Sequence, residues 1–149
     1  MQKNGICFTI KKEIQRIKLE GLTMAQERKF YVCKLCGNIV GMIHAGGGTL
    51  SCCGQPMQEL VANTSDGATE KHVPVIEAQG SKVTVKVGSV THPMLPEHFI
   101  QWIYLQTEKG GQRVDLHPGE EPVAHFVLAE GDKVVAAYEY CNLHGLWKA

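Results

Sequence analysis

The sequence predicts an all-β protein in which a small four-cysteine metal-binding domain precedes an antiparallel, immunoglobulin-like β-sandwich. Two observations support this fold class. Six apolar runs of strand length occupy the C-terminal part of the chain, and turns rich in glycine and proline separate them at the spacing of a sandwich. Ahead of them lies a segment too small to bury a core of its own, which carries four cysteines in two pairs.

Residues 1–24 differ from the rest of the chain and are predicted to be a leader that is either non-native or disordered. The next segment opens at Met24, which has the look of a natural start. Ile10, Ile14 and Ile17 fall at helical spacing among basic residues, so a basic amphipathic helix for a surface or a targeting signal is the alternative. We expect the leader to be dispensable for folding and for iron binding.

The small domain is predicted to span residues 25–62. A short strand begins near Lys29, a second strand covers residues 38–43, and three consecutive glycines at 46–48 form a turn. Two cysteine pairs flank these elements: Cys33 and Cys36, Cys52 and Cys53. Four thiolates suit tetrahedral zinc or a single iron, and the spacing does not choose between them; a pair of disulfides is the remaining alternative. Adjacent cysteines can converge on one ion only where the backbone bends.

The larger domain is predicted to span residues 63–149, beginning with a polar linker from Asn63 to Thr69. Strands are then expected from the alternation of apolar and polar residues, which is clearest at Val83, Val85 and Val87. The six predicted strands are Val73–Ala78, Lys82–Val87, Phe99–Gln106, Gln112–His117, Pro122–Ala129 and Lys133–Tyr140.

Composition excludes two classes of partner. The chain of 149 residues has zero formal net charge, and its basic residues are concentrated in the leader, so the remainder is mildly acidic and nucleic acid is not an expected partner. It contains no apolar run long enough to cross a membrane and no secretory signal pattern. We therefore expect a cytoplasmic protein whose six cysteines are metal ligands or free thiols, because disulfides are rare in that compartment.

Four histidines and one cysteine lie in three polar, turn-rich segments and predict a second metal site. Prolines stiffen two of these segments, which lowers the entropy cost of presenting imidazoles. Five donors are more than tetrahedral zinc takes and suit iron with a vacant sixth position, a positive centre that attracts a small anion. The candidate ligands are His72, His92, His98, Cys141 and His144. The other histidines, His44, His117 and His125, are read as ordinary polar residues.

These segments resemble the motifs of superoxide reductases. The resemblance rests on Glu70-Lys71-His72-Val73-Pro74, Thr91-His92-Pro93-Met94, Glu97-His98 and Cys141-Asn142-Leu143-His144-Gly145. The added four-cysteine unit is similar to that of the two-iron form, desulfoferrodoxin. The similarity covers residues 29–148, and it is specific because ligand types, order and spacing agree at two separate sites.

The resemblance implies two irons per chain. Cys33, Cys36, Cys52 and Cys53 would hold a desulforedoxin-like iron, while four histidines in a plane and an axial Cys141 would hold the iron that reduces superoxide to hydrogen peroxide. Lys71 would steer superoxide and support its protonation, and Glu70 would cap the oxidised iron when substrate is absent. A small donor such as rubredoxin would supply electrons, and the protein would be a homodimer.

Two other functions stay open at this point: superoxide dismutation, and a non-enzymatic role in electron transfer or metal storage. Lys71 could also be an ordinary surface lysine. If residues 70–72 were extended, Lys71 would point away from the face shared by Glu70 and His72. A lysine that reaches the metal site therefore requires a turn or a mobile loop in this segment.

Overall fold

The computed structural model describes residues 26–149, so the predicted leader lies outside the described residues. It contains twelve β-strands and one helix of a single turn, α1 (Thr69–His72), and the predicted all-β class is confirmed. Within residues 26–149, no helix has the length and apolar character required to cross a bilayer.

The N-terminal part consists of short strands around the four cysteines. Its elements are β1 (Phe30–Val32), β2 (Ile39–Gly41), β3 (Ser51–Cys52), β4 (Gln55–Pro56) and β5 (Gln58–Leu60). Strand β1 lies between β2 and β5 in an antiparallel sheet, and β3 pairs with β4 in a hairpin. The sequence predicts β1 and β2 but not β5, because a strand of three residues is too short to show a period.

The C-terminal part is a sandwich of two antiparallel sheets. Its strands are β6 (Pro74–Gln79), β7 (Lys82–Val87), β8 (Ile100–Thr107), β9 (Gly111–Asp115), β10 (Val123–Val127), β11 (Val134–Cys141) and β12 (Gly145–Lys148). One sheet has the order β10-β7-β6 and the other β12-β11-β8-β9. All six predicted strands are present: β7 has the predicted ends, and the ends of the other five differ by one or two residues. Strand β12 is an additional strand in a segment predicted to be rich in turns.

The core lies between the two sheets and follows from the period-2 alternation of their strands. Val83, Val85 and Val87 of β7 are fully buried and face Ile103 and Leu105 of β8 across the interior. The core continues to Cys141 at the end of β11, where the pairing with β8 shifts register. Such irregularities re-aim side chains at the end of a strand.

An aromatic cluster joins the small domain to the outer face of the four-stranded sheet. Phe30 of β1 lies 5.1 Å from the ring of Trp102 and 5.5 Å from that of Tyr138, and all three side chains are buried. Trp102 in turn stacks on Tyr140, the residue before Cys141, at 5.7 Å. The sandwich therefore has apolar side chains on both faces of this sheet, and the small domain covers the outer one.

We predict that Phe30→Ala destabilises the small domain by about 3–5 kcal/mol, because it empties the centre of this aromatic cluster. Urea unfolding followed by tryptophan fluorescence measures the change. Ile43→Ala is the matched control: Ile43 is 94% exposed, so its loss should change stability by less than about 0.5 kcal/mol. Equal stability of the two variants would show that Phe30 does not anchor the small domain.

The linker between the two parts is fastened along β12. The Asn63 amide donates to the Leu146 carbonyl (3.0 Å), and its side chain exchanges two hydrogen bonds with the backbone of Lys148. Farther along, the Ser65 hydroxyl donates to the His144 carbonyl. This linker therefore runs directly past one of the candidate ligands.

Candidate metal centres

The first candidate centre is the four-cysteine cluster, formed by Cys33, Cys36, Cys52 and Cys53 at the ends of β1 and β3. The four Sγ atoms lie within 4.8 Å of one another, and none of the five cysteines in the described part of the chain forms a disulfide. Cys33 is buried, whereas Cys36 and Cys53 are exposed. The cluster fits one tetrahedrally coordinated metal ion at the surface of the small domain.

A backbone bend brings the adjacent cysteines together. Cys53 has φ of 51°, in the left-handed region that non-glycine residues rarely adopt, and Gly54 follows at 77°. The two Sγ atoms of Cys52 and Cys53 lie 3.8 Å apart as a result, although neighbouring side chains of an extended strand point in opposite directions. The bend that the sequence required at this pair is therefore present.

Hydrogen bonds to sulfur prepare this cluster for a metal. Backbone N–H groups of Cys36 and Leu35 lower the pKa of Cys33 to about 7, which favours its thiolate. The Asn38 side chain donates to the Cys52 sulfur at 3.7 Å. Crowding by the other thiols, Cys36 first, raises the pKa of Cys53 to about 12, as expected where several thiols share one small volume without a cation between them.

The second candidate centre is the His4Cys cluster, formed by His72, His92, His98, His144 and Cys141. Its five donor atoms also lie within 4.8 Å of one another. The four rings form a closed cycle in which each is nearly perpendicular to the next, with centroids 4.6–4.9 Å apart. Around the cycle the order is His72, His92, His98, His144. Such a cycle directs four nitrogens toward a common centre.

The Cys141 sulfur contacts two rings of this cycle. Its Sγ is 3.6 Å from Nε2 of His92 and 3.6 Å from Nδ1 of His144, two histidines at opposite corners. The sulfur is therefore equally distant from nitrogens of two opposite rings. Cys141 is fully buried, while His98 and His144 are partly exposed, so the sulfur occupies the inner side of the cluster.

Backbone carbonyls fix which nitrogen of two histidines is available. His72 donates from Nδ1 to the Ala68 carbonyl at 2.8 Å, and His92 donates from Nδ1 to the Pro93 carbonyl at 2.5 Å. Because a carbonyl only accepts, each Nδ1 carries the proton and each Nε2 keeps a free lone pair. Nε2 of His98 is also buried, and it has no hydrogen-bond partner among the described residues. This unsatisfied nitrogen is explained by a metal ion at the centre of the cluster.

Burial keeps three of the imidazoles neutral. It lowers the pKa of His92 to about 4 and also lowers that of His72 and His98, with the neighbouring imidazoles adding to the effect. Burial raises the pKa of the Cys141 thiol. At neutral pH the cluster therefore presents nitrogen lone pairs without proton competition, and a cation is required to make the buried sulfur a thiolate.

Two family models divide the described chain between them. The model described as Desulfoferrodoxin, N-terminal domain, matches residues 25–60, and the model described as Desulfoferrodoxin matches residues 64–149. This chain belongs to the desulfoferrodoxin family. The family predicted from the sequence motifs is therefore confirmed.

Individual relatives are similar over nearly their full length. The desulfoferrodoxins of Syntrophotalea carbinolica and Nitratidesulfovibrio vulgaris are 53% and 52% identical over 126 residues, which cover 85% of this chain and 98% of each relative. Among solved structures, the superoxide reductase from Treponema pallidum is 42% identical, with a TM-score of 0.71, and the match covers 83% of this chain and 99% of that one. The desulfoferrodoxin fold is thus shared over both parts of the chain.

Helix α1 places the two predicted catalytic residues at the rim of the His4Cys cluster. Glu70 and Lys71 are exposed, and His72, the next residue, is buried in the cluster. The charge of Lys71 contributes to lowering the pKa of His98, and that of Glu70 acts on His72 in the opposite direction. The helical turn resolves the problem of an extended segment, in which Lys71 would point away from the ligands.

Trp147 is a neighbour of the cluster that the sequence motifs did not predict. It stacks on His72 with ring centroids 4.9 Å apart, and its indole N–H donates to the His144 carbonyl at 3.2 Å.

Glu139 is a second neighbour that the sequence motifs did not predict. It lies two residues before Cys141 on the same strand, is fully buried, and has no partner for either carboxyl oxygen among the described residues. Burial raises its pKa to about 9, so it is a neutral acid at pH 7. A lone charged residue in an otherwise apolar run is the signal that could have found it.

Asn142 joins the loop of His98 to the loop of Cys141. Its side chain accepts from the Phe99 amide at 2.9 Å and donates to the Glu97 carbonyl at 2.9 Å, so it holds the residues on both sides of His98. We predict that Asn142→Ala lowers metal affinity at the His4Cys cluster about ten-fold, as for other partners that orient a ligand.

Competition with a chelator during metal titration measures that change in affinity. Asn142→Asp is the matched control because it keeps the acceptor for Phe99 and loses only the donor to Glu97, so its loss should be smaller. Unchanged metal affinity in Asn142→Ala would show that His98 is positioned without this link.

The three histidines read as ordinary polar residues lie outside both clusters. Nδ1 of His125 lies within hydrogen-bond distance, 3.1 Å, of the Thr84 hydroxyl on the outer face of β10. Nδ1 of His117 lies 3.4 Å from a carboxylate oxygen of Glu120. His44, His117 and His125 are all exposed.

Proposed function

We propose that this protein is a superoxide reductase, an oxidoreductase that adds one electron and two protons to superoxide and releases hydrogen peroxide. The observation that carries this function is the cycle of four imidazoles beside one buried thiol, in a chain of the desulfoferrodoxin family. The relatives from Treponema pallidum and Pyrococcus horikoshii are both superoxide reductases by name, the second 41% identical over 109 residues.

Iron is the metal that the His4Cys donors fit. Four nitrogens and one sulfur exceed the tetrahedral set of zinc, no carboxylate belongs to the cluster, and the unsatisfied Nε2 of His98 requires a cation. His72, His92, His98, His144 and Cys141 would hold it. Bound iron would supply the electron by passing from the ferrous to the ferric state.

The residues of the cluster direct the anion to one side of it. Cys141 occupies the buried side, so superoxide can approach only where His98 and His144 are partly exposed. Water reaches the same side and can deliver protons. The Cys141 thiolate would be the single anionic donor of the set, and its electron donation to bound iron would favour the ferric product and the release of peroxide.

Lys71 and Glu70 complete the proposed reaction at the rim. Lys71 adds a positive charge beside the exposed side of the cluster, which attracts superoxide and supports its protonation. Glu70 precedes the ligand His72 by two residues and would close the oxidised site when no substrate is present. The support for both roles is their position on α1, directly ahead of His72.

Lys71→Ala tests the steering role. We expect the rate constant for superoxide with the ferrous protein to fall about three-fold at low ionic strength, and the dependence of that constant on salt to flatten. Stopped-flow measurement at several salt concentrations checks this. Lys71→Arg keeps the charge and should retain the wild-type salt dependence; a wild-type profile in Lys71→Ala would assign the residue to the ordinary surface.

The four-cysteine cluster is proposed to hold the second iron, and its donor set accepts zinc equally well.

We also propose the domain boundaries at residues 25–62 and 63–149, electron supply from a small rubredoxin-like protein, and a homodimer. Support for the dimer is the exposed apolar surface of the small domain, where Leu35 is 68% and Ile43 94% exposed. A cytoplasmic location is proposed because the described cysteines are free thiols.

A further inference from the structure

A turn formed by Gly88, Ser89 and Val90 lies against α1 and bonds to one carbonyl of the helix and one just after it. The Val90 amide donates to the Glu70 carbonyl at 2.9 Å, and the Ser89 hydroxyl donates to the same oxygen at 3.3 Å. The Gly88 amide donates at 3.2 Å to the carbonyl of Val73, the residue that follows α1. This 88–90 turn therefore bonds to the backbone on both sides of Lys71 and His72.

Only glycine fits at position 88. Its φ is +78°, and a Cβ at this position would lie 2.5 Å from the Val90 carbonyl oxygen, 2.7 Å from the Glu70 carbonyl oxygen and 2.7 Å from the carbonyl carbon of Lys71. All three are backbone atoms, which cannot rotate away as a side chain can. Any larger residue must therefore push α1 and the 88–90 turn apart.

The 88–90 turn also leads into the metal site, since His92 follows it by two residues. His72 and His92 are both fixed independently of the turn, by hydrogen bonds from Nδ1 to Ala68 and Pro93, and His72 also by the stack on Trp147. Lys71 is exposed and has no such side-chain anchor among the described residues. The position of the Lys71 ammonium group therefore depends on the backbone contact between α1 and the 88–90 turn.

We propose that Gly88 is a positioning residue for Lys71: the absence of a side chain at position 88 lets the turn seat α1 closely enough for the lysine charge to act on the open side of the cluster. This inference rests on the proposed function for its kinetic consequence. Its structural part, the seating of α1, does not depend on which reaction the protein catalyses.

Gly88→Ala in the iron-loaded protein tests the proposal, with Gly80→Ala as the matched control. Gly80 also has a positive φ, +60°, but no described atom lies within 4 Å of its Cβ position, so this variant carries the backbone strain without the collision. Hydrogen exchange of the Val90 amide should accelerate about ten-fold or more in Gly88→Ala, and remain as in wild type in Gly80→Ala.

The rate constant with superoxide provides the second measurement. In Gly88→Ala it should fall by up to about three-fold at low ionic strength and show a flatter salt dependence, with iron content unchanged. Added to Lys71→Ala, the Gly88 substitution should cause no further loss, because the two act through the same charge. A rate loss that adds to that of Lys71→Ala, a loss of iron, or wild-type exchange at Val90 would each overturn the proposal.

Ser89→Ala keeps the test available where Gly88→Ala fails to fold, because it removes only the hydroxyl contact with the Glu70 carbonyl. Exchange of the Val90 amide should then rise about three-fold. If the wild-type protein does not react with superoxide, the proposed function fails, yet the exchange measurements still decide whether the turn seats α1. Unchanged exchange in both variants would reject that seating even in an active enzyme.

Discussion

Replacing Cys141 with alanine is expected to lower the rate constant for superoxide by more than about 100-fold, since loss of a partner that merely orients a ligand already costs 10–100-fold. Cys141 is the single anionic donor of the His4Cys cluster, and its sulfur lies 3.6 Å from nitrogens of two opposite rings, those of His92 and His144. The four histidines remain to bind iron, so the metal should be retained while its thiolate absorption band disappears.

Cys36→Ser is the matched control for this loss, because it removes a thiol from the four-cysteine cluster and leaves the His4Cys cluster intact. It should keep the superoxide rate within about three-fold of wild type, the range of an indirect effect. Stopped-flow kinetics and the visible spectrum of the ferric protein measure both variants. A Cys141→Ala protein that reacts at the wild-type rate would show that the Cys141 sulfur is not needed for the reaction with superoxide.

Removing the second pair of thiols from the four-cysteine cluster should unfold the small domain alone. In residues 26–60 the buried side chains are Phe30, Val32 and Cys33, too few to sustain a fold, and a structural metal contributes about 10–16 kcal/mol in small domains of this kind. In a Cys52→Ser and Cys53→Ser double variant, amides of β1 should lose protection from hydrogen exchange.

The sandwich should be unaffected in that variant, because its core lies between its own two sheets. Amides of β7 should keep their protection, and iron should still bind at the His4Cys cluster. Ser51→Ala, next to the same cysteines, is the control for local disturbance and should leave β1 protected. Retained protection of β1 in the double variant would show that packing on the aromatic cluster suffices without a metal.

Most of the sandwich could be predicted because its strands either alternate or form continuous apolar runs. Val83, Val85 and Val87 of β7 face the core between Thr84 and Lys86, and β10 has the same period. Strands β8 and β11 are buried on both faces, so they are recognised by apolar runs of strand length between turns. The ligands could be predicted because histidines and cysteines have few other reasons to occur together beside prolines in polar turns.

The elements that escaped prediction are those whose form depends on tertiary contacts. Strand β12 has four residues and is defined by pairing with β11, and its Trp147 is buried by the stack on His72. Helix α1 is one turn long, too short to show a period, and its Glu70 carbonyl accepts a hydrogen bond from the distant 88–90 turn. The close fit at Gly88 is likewise a property of two segments brought together by the fold.

The stoichiometry of the reaction tests the central claim most directly. Ferrous protein with measured iron content is mixed with superoxide, and hydrogen peroxide, oxygen and ferric iron are counted. A superoxide reductase gives one peroxide and one ferric iron for each superoxide consumed, with no oxygen released. Release of one oxygen for every two superoxide ions would indicate dismutation instead, and no reaction beyond that of the metal-free protein would leave the His4Cys cluster without a catalytic role.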